Sequence, residues 1–486
     1  MKFLIVIDDP SSLSLNLPNT EVISANSYLT DNEYSGREDF KVFNLCKSYK
    51  YQSYGYYVSL LAEARGHKPV PNISTIQDIK NNSIIKIESE EIEETIQKSL
   101  KGINSDKFVL DVYFGKNFAQ KYDTLAYQVF KLFYIPFSRV TFVKNSKEWY
   151  VQSIAPLSMG DIPEEHKSFV LKCFAEFFSK KRMHTLRKKN SYRYSMAILY
   201  DSTAEKSPSN EKAIKKFVKI AESVGIETEI ITKEDYNRIP EFDILFIRET
   251  TGVNDHTYKF SRRASAEGLV VIDDPWSILK CCNKVYLTEL LRNNDVSIPK
   301  TVIIKKNNGG TKKVIEEIGF PIVLKKPDGS FSLGVKKANN EKELNTFLSE
   351  FFEKSDLVLG QEFIPTTFDW RIGVLNKKPI FACKYYMAAK HWQIAKRNNN
   401  EKIEYGDVEA IPMNEVPKHV LREALKAANL IGEGLYGVDL KEINGKAYII
   451  EINDNPNIDN GDEDKVLGDS LYSEIINYFV NKLESN

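Results

Sequence analysis

The sequence predicts an α/β and α+β protein made of three successive parts. Between residues 191 and 280, hydrophobic strands alternate with amphipathic helices, which is typical of a small open parallel sheet. From residue 281 onward strands follow one another more closely, and Asn444-Gly445 marks a β-hairpin near the end. A chain of 486 residues is long enough for about three domains. We therefore expect domains at 1–190, 191–280 and 281–486.

The first part opens with an apolar strand, Lys2–Ile7. An amphipathic helix follows at Gly55–Arg65 and is ended by Gly66. Lys107–Phe114 reads as a strand and Arg139–Ile154 as a hairpin. The basic stretch after this hairpin, residues 180–193, is interpreted as a linker or helix end, with a polyanion-binding patch as the alternative.

The second part contains four strands and a central helix. They are predicted at Ser195–Tyr200, Glu211–Val224 (the helix), Glu227–Thr232, Asp243–Arg248 and Leu269–Ile272. Its last strand runs into Val271–Pro275, which repeats the letters of Val6–Pro10. Turn chemistry at a strand end explains this repeat, and a duplicated unit is the alternative.

The third part is predicted to mix four helices with several strands. Three of the helices are Lys284–Arg292, Glu341–Phe352 and Pro417–Ile431, and the fourth lies between the first two strands. The strands before the final hairpin are Lys300–Ile304, Pro321–Lys326, Leu357–Phe363 and Trp370–Leu375.

Composition excludes several classes of protein. The 67 basic residues balance 67 acidic ones, which argues against a nucleic-acid binder. Five scattered cysteines are typical of a reducing compartment, so we expect a cytoplasmic protein. The apolar start ends at Asp8, too early for a signal peptide, and the most apolar long window, Leu125–Val143, reads as a helix and a strand instead of a membrane span.

A turn rich in small residues follows the strand that ends near Lys325. Glycine lets backbone N–H groups approach an anion closely, serine adds donors, and lysine supplies a point charge for phosphate. The turn contains Gly329, Ser330, Ser332 and Gly334. Alone, such a turn is more often structural than functional.

Gln361-Glu362-Phe363-Ile364 ends the next apolar strand. An extended segment there could offer backbone groups and Glu362 to a nucleoside, with Phe363 and Ile364 against the base. By itself this segment is better explained as an ordinary strand end.

Three oxygen-bearing side chains, Asp439, Glu451 and Asn453, flank the final hairpin. Such hard oxygen ligands suit Mg²⁺. With a plain two-residue turn at Asn444-Gly445, Glu451 would pair with Val438 and Asp439 would face away from it. We therefore predict a three-residue loop or a β-bulge near this turn.

The order of the motifs along the chain is Lys284, Lys325 with its turn, Gln361–Ile364, Asp369–Arg371, and Asp439 with Glu451 and Asn453. Taken together over about residues 281–480, they resemble the ATP-grasp ligases, and within them the RimK-like branch. Residues 195–280 resemble the Rossmann-like pre-ATP-grasp domain. The first part, through Tyr54–Arg65, resembles the RimK-like ATP-grasp N-terminal (RLAN) domain. The resemblance implies that ATP lies between two α+β subdomains of the C-terminal ATP-grasp fold.

The resemblance also implies roles for individual residues. Lys284 and Lys325 would hold phosphates and adenine, Gln361–Ile364 would form the adenine hinge, and Glu362 or Asp369 would bind the ribose. The turn from Gly329 to Gly334 would close over the triphosphate. Metal ligands would be Asp439, Glu451 and Asn453, with Mg²⁺ as the ion and Mn²⁺ as an alternative. Arg371 would act catalytically on the transferring phosphate.

Two positions and one segment depart from the family pattern. Ser332 replaces a usual glycine, and Lys384 stands where a substrate-side arginine is common. Residues 385–408, with His391, Trp392 and Arg397, form a longer segment that is interpreted as a lid. Arg248, His256 and Arg262 are additional candidates for gripping an acidic substrate, or else structural cations. Cys281-Cys282 reads as two small buried residues.

The implied function is ATP-dependent formation of an amide between a carboxylate, activated as an acylphosphate, and the amine of an amino acid, peptide or protein, with release of ADP and phosphate. The alternative is a nucleotide-binding regulatory module without turnover. A further hypothesis gives the N-terminal domain a role in recognising the acceptor. We expect no membrane or nucleic-acid partner, and the sequence leaves a homo-oligomer open.

Overall fold

A computed structural model describes most of the chain. The described residues are 2–13, 17, 20–35, 40–145, 148–185, 192–204, 207–306, 310–328, 334–389, 391–397 and 403–485. They form two compact units, one of residues 1–195 with 234–242 and the other of 196–233 with 243–486. No helix among the described residues is both long enough and apolar enough to cross a membrane.

The first unit begins with a parallel four-stranded sheet of order β2-β1-β3-β4. Its strands are β1 (Lys2–Ile7), β2 (Thr20–Ser24), β3 (Phe40–Asn44) and β4 (Lys68–Val70). Ile5 and Ile7 of β1 enter one apolar core, whereas Leu4 and Val6 enter another. Both faces of the sheet are therefore covered, which explains why β1 is apolar throughout.

Helices and a second sheet complete this unit. The helices are α1 (Ala25–Thr30), α2 (Tyr54–Ala64), α3 (Ile73–Asp78), α4 (Asn82–Ser89), α5 (Glu93–Leu100), α6 (Asp123–Phe133) and α7 (Glu164–Thr185). An antiparallel sheet contains β5 (Lys107–Tyr113), β6 (Phe137–Asn145) and β7 (Glu148–Pro156). The predicted strand, helix and hairpin of this part are confirmed. Of the basic stretch, residues 180–185 end α7, whereas 186–191 lie outside the described residues.

The segment 234–242 belongs to the first unit although it lies between strands of the second. Its buried Glu241 is an ion-pair partner of the buried Lys41 and accepts a hydrogen bond from Tyr134. A buried carboxylate thus has both a cation and a donor here, as burial of a charge requires.

The second unit starts with a sheet of order β11-β10-β8-β9. Its strands are β8 (Tyr194–Leu199), β9 (Ile226–Ile231), β10 (Ile244–Ile247) and β11 (Val270–Ile272), and its helices are α8 (Glu211–Ser223), α9 (His256–Ala266) and α10 (Pro275–Cys282). The pairs β8–β10 and β10–β11 are parallel, as predicted.

The rest of this unit consists mainly of two α+β subdomains, each with one antiparallel sheet. The first has the order β12-β15-β13-β14 and contains α11 (Lys284–Asn293), β12 (Thr301–Lys305), α12 (Gly310–Ile318), β13 (Ile322–Lys325), β14 (Val335–Ala338), α13 (Glu341–Phe351) and β15 (Leu357–Glu362). The second has the order β20-β17-β16-β21-β22 and contains β16 (Phe368–Leu375), β17 (Lys378–Tyr386), β20 (Val408–Ala410), α14 (Lys418–Ile431), β21 (Leu435–Ile443) and β22 (Lys446–Asn453). A ribbon of β18 (Ala395–Arg397) and β19 (Ile403–Tyr405) and a final helix α15 (Asp469–Ser485) complete it.

Helix α14 covers one face of the five-stranded sheet. Trp370, Ile372, Val438 and Leu440 pack with Val420 of α14 and its neighbours in a single apolar core. Because side chains alternate along a strand, the residues between these apolar ones lie on the opposite face of the sheet.

Candidate active site

The face of the five-stranded sheet opposite α14 carries polar side chains from three adjacent strands. We call it the polar face, and its members are Asp369 and Arg371 of β16, Asp439 and Lys441 of β21, and Glu451 and Asn453 of β22. In the register, Arg371 lies opposite Asp439, which in turn lies opposite Glu451. These three residues therefore form one row across the sheet.

A β-bulge makes this row possible. Asn444 and Gly445 form a two-residue turn with positive φ angles of 53° and 71°. From Ile443↔Lys446 to Leu440↔Ile449, pairing follows the simple register, and it then shifts so that Asp439 faces Glu451. The predicted departure from the plain hairpin is confirmed: the turn keeps two residues, and Ile450 is the extra residue in β22.

Arg371 is held in place from two sides. Its Nε and Nη2 donate to the two carboxylate oxygens of Asp439 at 2.7 and 2.8 Å. The Tyr385 ring lies 4.5 Å from the guanidinium carbon, and the Tyr385 hydroxyl donates to Glu463. Burial opposes the charge, but Asp439 and Tyr385 raise the pKa of Arg371 above its ordinary value. Asn453 Nδ2 also donates to Asp439 at 3.1 Å.

Two lysines from outside the sheet reach the same face. Lys284, the first residue of α11, lies 2.8 Å from Glu451. Although burial opposes ionisation, Lys284 and then Lys325 lower the pKa of Glu451. Burial lowers the pKa of Lys325 to about 8, with Lys284 and Lys441 contributing. An anion bound beside Lys325 would favour its charged form.

Asp369 is already engaged by protein groups. Lys441 Nζ lies 2.6 Å from its Oδ1, and the Thr366 hydroxyl donates to the same oxygen at 3.1 Å. Burial raises the pKa of Asp369, against the opposing effect of Lys441. Sequence reasoning missed Lys441, although its position two residues after Asp439 on one strand is the signal that it shares the polar face.

The predicted adenine hinge lies at the end of β15. Gln361 donates to the Thr301 hydroxyl at 3.1 Å, and the backbone N–H of Glu362 donates to the Lys300 carbonyl at 2.8 Å. The Phe363 ring lies 4.4 Å from Lys337 Nζ and 5.8 Å from the ring of Trp392. Ile364 is buried. Trp392, in the segment interpreted as a lid, thus contacts the hinge directly.

The phosphate-binding turn is described only in part. Gly329, Ser330 and Ser332 lie outside the described residues. Gly334 has φ +86°, and a Cβ there would lie 3.1 Å from the Lys326 side chain. This position therefore favours glycine for conformation and for space.

Lys384 does not join the polar face. It pairs with Trp370, and its Nζ lies 5.0 Å from the Phe368 ring and 5.3 Å from the Trp370 ring, on the side covered by α14. Its neighbour Tyr385 faces Arg371 instead. Because side chains alternate along a strand, Lys384 and Tyr385 lie on opposite faces of the sheet, and Lys384 is not part of the polar face.

The other candidate cations have different surroundings. Arg248 is fully buried and donates to Ser209, Asn455 and the carbonyl oxygens of Pro208 and Pro456, so it binds two loops together. His256 lies 2.5 Å from Glu249, and Arg262 is exposed. Cys281 and Cys282 are not bonded to each other, and Cys281 is buried as predicted, whereas Cys282 is only partly buried.

The donors available for a metal are mixed. Among the described residues, no group of three or more His, Cys, Asp or Glu side chains is arranged to hold a metal ion. The predicted set has two carboxylates and one amide, and the described hydrogen bonds of Asn453 use its amide nitrogen, not its oxygen. Oxygen donors from Asp439, Glu451 and Asn453 therefore fit a hard cation that takes its remaining ligands from phosphate and water.

Family models match the chain in two places. Residues 281–479 match the RimK-like ATP-grasp domain, and residues 25–173 match the RimK-like ATPgrasp N-terminal domain. The second unit therefore contains an ATP-grasp domain. More narrowly, that domain is of the RimK-like type, and it is accompanied by a RimK-like ATPgrasp N-terminal domain.

Curated relatives carry ligase names. The alpha-aminoadipate–LysW ligase LysX of Sulfolobus acidocaldarius is 27% identical over 270 residues, which cover 54% of this chain and 90% of the relative. The probable alpha-L-glutamate ligase of Shewanella loihica is 23% identical over 223 residues, 46% of this chain and 71% of the relative. A solved D-alanine–D-alanine ligase from Bacillus anthracis aligns over 59% of this chain and 96% of that chain, with 16% identity and a TM-score of 0.46. The chain is an ATP-dependent, ADP-forming carboxylate–amine ligase.

Proposed function

We propose that the polar face, with Lys284 and Lys325, transfers the γ-phosphate of ATP to a substrate carboxylate, and that the resulting acylphosphate is attacked by the amine of an acidic amino acid or of a peptide. The observation that supports this most is the row of Arg371, Asp439 and Glu451 across three strands.

Charge balance favours a polyanionic ligand at this face. Four cationic side chains, Lys284, Lys325, Arg371 and Lys441, accompany three carboxylates, those of Asp369, Asp439 and Glu451. The set therefore carries one excess positive charge before any ligand binds. Buried cations attract phosphate strongly because little water screens them.

Asp439, Glu451 and Asn453 would hold Mg²⁺. When bound, the ion neutralises charge on the β- and γ-phosphates and orients them for in-line transfer. Asp439 already has Arg371 as a partner, and Glu451 has Lys284. These pairs hold the two carboxylates in position for the ion and the phosphates.

Arg371 is placed to stabilise the charge that spreads over the transferring phosphoryl group. An arginine in this role contributes about 10³–10⁵-fold in rate. Asp439 and Tyr385 fix the guanidinium before the ligand arrives, so little reorganisation is needed during transfer. Acylphosphates hydrolyse readily, and the contact of Trp392 with Phe363 gives the segment 385–408 a role in excluding water.

The names of the two relatives support an acidic amino acid as one substrate. They specify alpha-aminoadipate with LysW, and glutamate. The free state of all five cysteines supports a reducing, cytosolic location. We also propose that residues 1–190 recognise the acceptor.

Product analysis tests the proposal. The full chain is incubated with ATP, Mg²⁺, L-glutamate or L-2-aminoadipate and a panel of carboxylates, and the products are separated by mass spectrometry. We expect ADP, phosphate and a new amide, and a hydroxamate when hydroxylamine is added. Arg371→Gln should lower turnover at least about 10³-fold, whereas Lys446→Gln, an exposed lysine that begins β22, should not.

Two results would overturn the proposal. Formation of AMP instead of ADP would exclude the acylphosphate route. Tight binding of ATP without turnover for any pair of substrates would favour the regulatory module.

A further inference from the structure

Strand β12 is the edge strand of the sheet with the order β12-β15-β13-β14. Within the described residues it pairs only with β15, in antiparallel register from Thr301↔Gln361 to Lys305↔Leu357. An edge strand presents backbone N–H and C=O groups with which another extended segment can pair. The side of β12 that faces away from β15 is therefore the place where this sheet can gain a strand.

The hydrogen bonds of β12 show which backbone groups point to the free edge. The N–H of Glu362 donates to the Lys300 carbonyl at 2.8 Å, and the N–H of Lys306 donates to the Asp356 carbonyl at 3.1 Å. In an antiparallel pair, residues that bond to the neighbouring strand alternate with residues whose groups point away from it. The even-numbered positions of β12 therefore bond to β15. The groups that point to the free edge are those of Thr301, Ile303 and Lys305.

A groove with a volume of about 580 Å³ lies along this edge. It is lined by β12, by α12, and by the end of α11 with the segment that leads into β12. Val302 and Ile304 of β12 pack with Val314 of α12 in one apolar core, so the helix is fixed beside the strand. Extended peptides bind to other proteins at free sheet edges, where backbone hydrogen bonds provide affinity and side-chain contacts provide specificity. The groove offers both kinds of contact.

The charged side chains of the groove are mostly cationic. Its lining contains three cations and one anion, namely Arg292, Lys300, Lys313 and Glu317. Arg292 donates to Glu289 at 3.0 Å and to the Thr301 carbonyl at 2.7 Å, so its charge and one acceptor of the edge are already engaged. The pair of Lys313 and Glu317 is 67% and 52% exposed, and such a pair is weak. Lys300 and Lys305 are exposed. This surface therefore favours an acidic ligand.

A second copy of the chain fits this edge poorly. If two β12 strands paired antiparallel about Ile303, Lys300 of each copy would lie opposite Lys306 of the other. Like charges that are directly opposite on neighbouring strands destabilise the pairing. The same lysines attract a strand that carries carboxylates.

We propose that this groove binds an extended, acidic segment of a separate polypeptide, which adds a strand to the sheet beside β12. Lys300 has the same parity as Val302, so it lies on the side of the sheet that α12 covers. Carboxylates at alternate positions of the segment would meet Lys300 and Lys313 there, while its backbone bonds to Ile303. The inference does not depend on the proposed function. Of the described residues assigned above to the nucleotide, the metal and the transferring phosphate, none lines the groove.

Fluorescence anisotropy tests this site with the full chain and without ATP. The probe is a labelled peptide of alternating acidic and apolar residues, Glu-Val-Glu-Val-Glu-Val-Glu, which we expect to bind saturably. A peptide with lysine in place of each glutamate should bind at least about tenfold more weakly. A third peptide keeps every side chain but carries a methyl group on each backbone nitrogen. It cannot donate to β12 and should also bind at least about tenfold more weakly.

Two variants of the chain locate the binding site. Lys313→Glu should weaken binding of the acidic peptide at least about threefold, because it replaces an attraction by a repulsion. Lys312→Glu is the matched control, since Lys312 is an exposed lysine of the same helix that does not line the groove. Ile303→Pro removes an N–H from the free edge and leaves the hydrogen bonds to β15 in place, so it should weaken binding at least about tenfold.

Several results would overturn the inference. They are the absence of saturable binding to the wild type, equal binding of the methylated peptide, and equal effects of Lys312→Glu and Lys313→Glu. Circular dichroism shows whether Ile303→Pro is folded, and if it is not, the two lysine variants decide. Sedimentation of the wild type checks the other occupant. A dimer that the acidic peptide dissociates would identify a second copy as the ligand and would also overturn the inference.

Discussion

The same five residues, Val-Ile-Asp-Asp-Pro, end one strand in each unit and have different surroundings. Val6–Pro10 follows β1, the first strand of a sheet with the order 2-1-3-4, counted along the chain. Val271–Pro275 ends β11, the fourth strand of a sheet with the same order. The two copies therefore lie at non-equivalent strands. This favours turn chemistry over a duplicated unit as the reason for the repeat.

The second aspartate behaves alike in both copies. Asp9 Oδ1 accepts a hydrogen bond from the Ser11 N–H at 3.0 Å, and Asp274 Oδ1 accepts one from the Trp276 N–H at 3.0 Å. In each copy proline is the first helical residue after this cap. A cap depends on residues within one turn, so the local sequence determines it.

The first aspartate differs because tertiary contacts decide its role. Asp8 is exposed and accepts a hydrogen bond from the Lys47 N–H at 2.6 Å. Asp273 is buried, and neither of its carboxylate oxygens has a hydrogen-bond partner within the described residues. Identical local sequence thus yields a surface turn in one unit and a buried carboxylate in the other.

Asp439→Asn should have the largest effect on stability. Unlike Asp273, Asp439 is a buried carboxylate that is paired with a cation, Arg371. The change leaves the Arg371 guanidinium buried with a neutral partner. Breaking a buried pair costs about 3–5 kcal/mol of unfolding free energy. Urea denaturation measures this loss, and ADP formation should also fall sharply.

The double variant Arg371→Met/Asp439→Leu is the control for this prediction. It removes both charges, so much of the stability should return while activity stays lost. Unchanged stability in Asp439→Asn would show that the pair is not buried as described.

Asp273→Asn should act in the opposite direction. The neutral amide has the same shape and avoids burial of an uncompensated charge, so the free energy of unfolding should rise by about 1–3 kcal/mol at pH 7. Urea denaturation of the full chain without added amine measures it. A loss of stability of similar size would mean that Asp273 has a partner, and the contrast with Asp8 would disappear.

The dependence on pH should distinguish Asp273 from Asp9. Asp454 and Asp274 help burial to raise the pKa of Asp273, and Arg248 opposes them. The folded state therefore binds this proton more tightly than the unfolded state, and stability falls as pH rises above the usual carboxyl pKa of about 4. Asp273→Asn lacks this loss, so its advantage over the wild type should grow from pH 4.5 to pH 8.

Asp9 should show the reverse sign. Hydrogen bonds from Ser11 lower its pKa, so its stabilising contribution is present above pH 4 and lost as pH falls. Unfolding of the wild type and of Asp9→Ala from about pH 2.5 to pH 6 checks this, because the range must include the usual carboxyl pKa of about 4. Parallel pH profiles for the two variants would contradict the assignment of different environments.

Sequence reasoning predicted most of the order of strands and helices, because periodicity and end signals are local. It also predicted that the hairpin departs from a plain two-residue turn, by a three-residue loop or by a β-bulge, and the structure has the bulge beside Asp439. It placed Lys384 with the site on the family resemblance, whereas Lys384 pairs with Trp370 and shares its face of the sheet. The burial of Asp273 could not be predicted, because it depends on contacts between segments that are distant in sequence.

Asp8→Asn should have the smallest effect. The amide oxygen of asparagine can accept the same N–H of Lys47, and the side chain stays in water, so the free energy of unfolding should change by less than about 0.5 kcal/mol. Urea denaturation of Asp8→Asn and Asp273→Asn under the same conditions measures this. Both variants replace the first aspartate of the repeated sequence by asparagine. If both variants changed stability equally, surroundings would not decide the role of the first aspartate, and the contrast between Asp8 and Asp273 would lose its physical basis.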